Sequence, residues 1–124
     1  MADDSRLVED AGGRPLRPVE RELLEAMLAG EHAEPELQGR LNSCLVADMR
    51  DGGMGSIRFL SSGRAPRRFG KALAQAEYVD ENGVLVSIVV TADDTGDLYE
   101  VDFWKVDFSP LRRYPVPSEL KLPR

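Results

Sequence analysis

Residues 80–106, "DENGVLVSIVVTADDTGDLYEVDFWKV", decide how this chain is read. Asn82-Gly83 is a two-residue hairpin signal, because a type I′ turn needs positive φ at both central positions. The run Val84 to Thr91 carries Val84, Val86, Ile88 and Val90 on one face and is mostly apolar on the other, the pattern of a central strand. "DDTGD" (93–97) turns the chain again into Leu98–Val106, where Tyr99, Val101 and Phe103 alternate with Glu100 and Asp102. Alternation of this kind marks a strand with one buried face and one wet face. Trp104, the only tryptophan, then falls on the wet face beside two carboxylates.

Working backwards, Ala72, Ala74, Ala76 and Tyr78 alternate with Leu73, Gln75, Glu77 and Val79, a strand whose three alanines would let a helix approach closely. "SSGRAPRRFG" (61–70) is a polar loop. Before it, Leu45, Ala47 and Met49 alternate with Val46, Asp48 and Arg50, "DGG" (51–53) turns, and Ile57 and Phe59 follow, so a hairpin is expected. Further back the period changes to 3.6. "RPLRPVERELLEAMLAG" (14–30) reads as a helix with Pro18 at its first position, Glu20, Glu22 and Glu25 toward the positive dipole end, a stripe of Val19, Leu23, Leu24, Met27 and Leu28, and Gly30 as its stop. A second, short helix is expected from Pro35, with Leu37 and Leu41 on one face and Gly39 weakening it.

The expected fold is therefore α+β: two N-terminal helices packed on one face of a five-stranded antiparallel meander. Residues 1–13 read as a flexible tail and 14–124 as one domain, which suits a chain of 124 residues. The end, "FSPLRRYPVPSELKLPR" (108–124), holds four prolines and should run extended over the surface. There Phe108, Pro110, Leu111, Tyr114 and Pro115 could cover Trp104.

Composition excludes several classes. No apolar run is long enough to span a bilayer. The acidic start "MADDSRLVEDAGG" lacks the basic and apolar regions of a secretory signal, and Cys44 is alone, so a cytoplasmic, reducing setting is expected. The net charge is −6, and residues 77–107 hold nine acids against Lys105, a local −8. Such a block repels phosphate backbones and excludes nucleic acid as its partner. It suits a basic protein.

No catalytic or metal set emerges. His32, the only histidine, lies in a polar loop without a nucleophile beside it, and Cys44 sits among apolar neighbours, so a Cys44–His32–Asp48 triad has no support from spacing. Placing Gly96 as the glycine of a calcium loop puts Thr91 at its first ligand position and Asp102 at its last, and the required carboxylates are missing at two of the key places. "DGGMGS" (51–56) lacks the lysine and helix of a phosphate loop. Arg64, Arg67 and Arg68 could capture an anion, but an arginine-rich loop folding back on the acidic half is the simpler reading. No cofactor is expected.

Arg14, Leu16 and Glu20, then Asp80 and Gly83, then Asp93, Gly96, Leu98, Tyr99, Glu100, Asp102, Trp104 and Lys105, and finally Ser109, Pro110 and Leu111 form a recognisable series. It resembles a family of small bacterial domains of unknown function with an R-x-L-x-x-x-E start, an L-Y-E-x-D-x-W-K strand and an S-P-L. The resemblance implies a bacterial source and supplies no catalytic residues. A weaker likeness is to small acidic immunity proteins paired with toxins.

The function expected is a non-enzymatic, acidic protein-binding module of the immunity or antitoxin-like kind that occupies a basic partner site, a toxin being one such partner. Glu100, Asp102 and Trp104 would form its centre and Asp93, Asp94 and Asp97 its rim. The alternative is a small-molecule-binding or regulatory domain with its ligand between helices and sheet. A hydrolase using Glu100 and Asp102 ranks third. The binding expectation requires those acids to be free of the protein's own arginines.

Overall fold

The computed structural model describes residues 13–29, 39–60 and 66–122. Helix α1 (Pro18–Leu28) precedes strands β1 (Val46–Asp48), β2 (Ile57–Phe59), β3 (Phe69–Val79), β4 (Leu85–Asp93) and β5 (Leu98–Lys105), and a 3-10 turn at Pro117–Glu119 follows. All strand pairs are antiparallel, in the order β1-β2-β5-β4-β3.

Three expectations are corrected. Among the described residues there is one α-helix, not two N-terminal helices, and the protein is mostly sheet. The start of the expected second helix, 35–38, lies outside the described residues, as do the tail at 1–12 and His32. Gly39 and Arg40 are helical, and the chain then turns at 41–43: Asn42 N–H donates to Gly39 O and Ser43 N–H to Arg40 O before the chain enters β1. The turns at 41–43 and the start of β1 at Val46 leave no room for helix beyond Arg40.

The sheet is also not a simple meander. The connection from β2 carries the chain to the far edge, so β2 pairs with β5 and leaves β3 outermost. β5, not β4, is therefore the middle strand. Local alternation identifies strands but not their order, because pairing is settled between segments distant in the chain.

The Asn82-Gly83 turn differs as well. Only Gly83 has positive φ (81°), Gly83 N–H donates to Asp80 O, and Asp80 N–H donates to Val84 O. The β4–β5 connection repeats this: Gly96 has φ 94°, Gly96 N–H donates to Asp93 O, and Asp93 N–H donates to Asp97 O. Both are three-residue connections closed by a left-handed glycine. In each, the leading aspartate binds its own turn: Asp80 Oδ1 accepts from Glu81 N–H, and Asp93 Oδ1 from Thr95 N–H.

The core lies between α1 and one face of the sheet. Leu23, Leu24, Met27 and Leu28 bury against Val86, Ile88, Val90, Val101, Phe103, Ala76 and Tyr78. Ala74 and Ala76 share the helix side, whereas Ala72, beyond a register shift in β3, is exposed. Within α1 the expected stripe is shifted. Val19 is exposed and Glu20 is buried. Glu20 takes two bonds from Arg14, at 2.8 and 2.9 Å, and its Oε1 accepts Arg17 N–H at 2.8 Å, capping its own helix. Arg14 also reaches Asp48 at 2.7 Å, and its backbone bridges to Val46. The Arg14–Glu20 pair thus ties helix, entry segment and β1 together.

Candidate functional site on the open face of the sheet

Alternation along β5 sends Val101, Phe103 and Lys105 inward and Asp102 and Trp104 outward. The register steps from Thr91↔Glu100 to Ala92↔Leu98, leaving Tyr99 as an extra residue, a bulge that breaks the alternation at this end of the strand. Cross-strand pairing then sets out the open face in rows. Glu77, Ser87 and Trp104 form one, Gln75, Val89 and Asp102 the next, and Val79 with Leu85 a third, at the end where Val106 leaves β5.

The six residues expected to form the site separate into two groups. Asp93 is buried: Arg67 Nε donates to it at 2.8 Å, and Thr95 and Asp97 donate from its turn. Its pKa is lowered to about 2, because these bonds outweigh the desolvation that would raise it. Asp97 pairs with Arg40 and Glu100 with Arg58. These three are tied up by the protein's own arginines and cannot serve as free rim charges. Asp94, Asp102 and Trp104 remain exposed. The −8 block is not one field: Asp80 also has its cation, Lys105, at 2.7 Å.

Asp102 is the acid of β5 without an ion-pair partner among the described residues. Ser56 Oγ lies 3.4 Å away. Desolvation first, then the charges of Glu100 and Asp51, raise its pKa, and the Ser56 hydrogen bond opposes them. Trp104 is 50 % exposed. Phe108 lies against it, ring centroids 4.9 Å apart at 76°, and is itself 61 % exposed. Phe108 has φ 63°, the sole non-glycine with positive φ among the described residues, held by its N–H on Lys105 O at 2.8 Å. Val79, Leu85 and Val106 add further exposed apolar surface. Sequence reasoning missed Phe108, Val79, Leu85 and Val106 as site residues. The outward positions of the alternating pattern could have found the last three, whereas Phe108 depends on a backbone conformation that no local pattern announces.

Of the C-terminal residues expected to cover Trp104, Phe108 lies against it but leaves it half exposed. Leu111 and Tyr114 pack on the inner core instead, with the Tyr114 ring 5.4 Å from Phe103. Asp80 directs this. Its carboxylate accepts Lys105 Nζ (2.7 Å), Arg112 N–H (2.8 Å) and Arg113 N–H (3.0 Å), while Lys105 Nζ also donates to Pro110 O. A fully buried ion pair thereby draws the chain after β5 to the core side.

The other candidates resolve as structure. Cys44 is half-buried, its pKa raised by desolvation, and Asp48 is engaged by Arg14, while His32 lies outside the described residues. Arg67 is committed to Asp93, Phe59 O and Leu98 O, while Arg64 lies outside the described residues. No group of His, Cys, Asp and Glu among the described residues could hold a metal ion. No helix among them is long and apolar enough to cross a membrane. Glu100, bound to Arg58, leaves no free carboxylate pair with Asp102. Leu23, Leu24, Met27 and Leu28 of α1 are buried in the core. Among the described residues, concavities open at the sheet rim, one of about 270 Å³ lined by Glu77, Tyr78, Val79, Leu85, Glu119 and Lys121.

The chain belongs to a family described as a domain of unknown function, DUF6984, matched over residues 13–115. That span takes in α1, all five strands, the Arg14–Glu20 and Asp80–Lys105 pairs, and the Trp104–Phe108 face. No curated protein and no solved structure gives a match.

Proposed function

We propose that this protein is a non-enzymatic binding module that meets a basic protein partner through the open face of its sheet. One observation carries the reading. Two large aromatic side chains, Trp104 and Phe108, stand half or more exposed against each other, and Phe108 is held in a left-handed backbone conformation. A bulky residue in that region costs roughly 1–2 kcal/mol, and contiguous exposed apolar surface is atypical of a face that only meets water. The partner-binding set contracts to Trp104, Phe108 and Asp102, with Asp94 as a distant rim charge. Asp93, Asp97 and Glu100 contribute through the pairs that shape the strand. The immunity or antitoxin-like role, a bacterial source and a cytoplasmic setting belong to the same proposal and rest on the family resemblance and the acidic composition.

The test is binding of the purified protein to the product of the adjacent gene, measured by titration calorimetry. A complex is expected that Trp104→Ala and Asp102→Lys each weaken by about tenfold or more. No complex, or one indifferent to both changes, would refute the reading.

A further inference from the structure

The same strand shows what its open face can hold. At the Tyr99–Glu100 end, Arg58 and Arg67 each place a guanidinium 5.0 Å from the Tyr99 ring centroid. Arg58 pairs with Glu100 and Arg67 with Asp93. Aromatic face, carboxylate and guanidinium form one unit there. Toward the other end, Asp102 and Trp104 offer the aromatic and the carboxylate, side by side on the outward face, and no cation of the described chain answers them. Tryptophan is the strongest of the aromatic rings toward a cation. A guanidinium satisfies a carboxylate and stacks on a ring at the same time, which an ammonium does less well. Next to this pair the surface becomes apolar at Leu85, Val106 and Val79, and Glu77 adds a second acid on the Trp104 row. Lys121, bridged to Glu77 through the backbone, is the cation at that rim.

We infer that the partner contributes an arginine side chain that stacks on Trp104 and pairs with Asp102, carried on a segment whose neighbouring apolar residues cover Leu85, Val106 and Val79. This inference rests on the protein-binding reading and specifies its chemistry. The bound guanidinium repeats, between molecules, the arrangement of Arg58 with Tyr99 and Glu100.

Trp104 is the only tryptophan, so its fluorescence reports this site directly. The full chain is titrated with a blocked Val-Arg-Val-Leu peptide and with the same peptide carrying citrulline, the neutral isostere, in place of arginine. The arginine peptide should give a saturable change in emission and bind about tenfold more tightly than the citrulline peptide. Asp102→Asn should abolish that difference while leaving the unfolding midpoint nearly unchanged. Equal binding of the two peptides, no saturable change, or a concentration-dependent self-association lost in Trp104→Ala would overturn the inference. A Trp104-dependent complex with the adjacent gene's product, together with equal peptide binding, would overturn only the arginine assignment and leave the protein-binding reading intact.

Discussion

Lys105 Nζ lies 2.7 Å from Asp80 Oδ2, and neither side chain has any exposure to solvent. The pair joins the turn after β3 to the last residue of β5 and orders the chain beyond it through Arg112 and Arg113. Removing one partner leaves a buried, uncompensated charge. Lys105→Met is therefore expected to lower stability by about 3–5 kcal/mol, read from urea unfolding. The double change Lys105→Met, Asp80→Leu should recover part of that loss. The recovery should be incomplete, because Asp80 also binds three backbone N–H groups.

Acid should unfold this protein through two aspartates. Burial would raise the pKa of Asp80, but the bonds from Lys105, Arg112 and Glu81 outweigh it and hold the value at about 2; Asp93 is likewise held at about 2. Both folded values lie below the ordinary 3.8. Each group's contribution is thus complete above that ordinary value and is lost as pH falls through the folded one. The urea midpoint should stay level from neutral pH to about pH 5 and fall between about pH 4 and pH 2. Asp93→Asn should flatten part of that fall.

Phe108→Asn separates function from stability. Asparagine tolerates the left-handed conformation, so relief of strain offsets the lost edge contact with Trp104, and the net change should stay within about 1 kcal/mol. Trp104 emission should move to longer wavelength as the ring becomes wetter. A loss of more than about 2 kcal/mol would mean that Phe108 is a structural residue.

Gly70→Ala should be costly despite its edge position. A Cβ there would come within 2.2 Å of the backbone oxygen of Asp93 and 2.6 Å of its carbonyl carbon. Backbone cannot move aside as a flexible side chain can. We expect a loss of about 1–3 kcal/mol by thermal or urea unfolding, and the Asp93–Arg67 pair should loosen with it.

Glu20→Ala would remove the buried partner of Arg14, leaving it Asp48, and uncap α1 in one change. Glu20 is 2 % exposed and bonds both Arg14 and the Arg17 N–H. A loss of about 3 kcal/mol is expected, with reduced helical circular dichroism, whereas Glu22→Ala, on the exposed side of α1, should be nearly silent.

The motif series that carries the family resemblance reads differently once folded. Arg14, Glu20, Asp80, Asp93 and Lys105 stood out in the sequence as charged residues, and charge invites a functional reading. In the structure they are pins: each is buried or partly buried and bonded to a partner in a different element or to a turn backbone. Glu100, placed at the centre of the expected site, is one of these as well.

Local patterns alone were sufficient for α1, for the five strands and for the outward direction of Asp102 and Trp104, since a period of 3.6 or 2 is a property of neighbouring residues. They were also sufficient for glycine at both tight turns, though not for the turn type. Strand order, the pairing of acids with arginines and the course of the C-terminal segment were decided only in three dimensions. Arg58 and Glu100 are 42 residues apart, Arg40 and Asp97 are 57 apart, and Asp80 and Lys105 are 25 apart. Whether a carboxylate is free to meet another molecule depends on which distant cation the fold brings beside it, and periodicity along the chain carries no record of that.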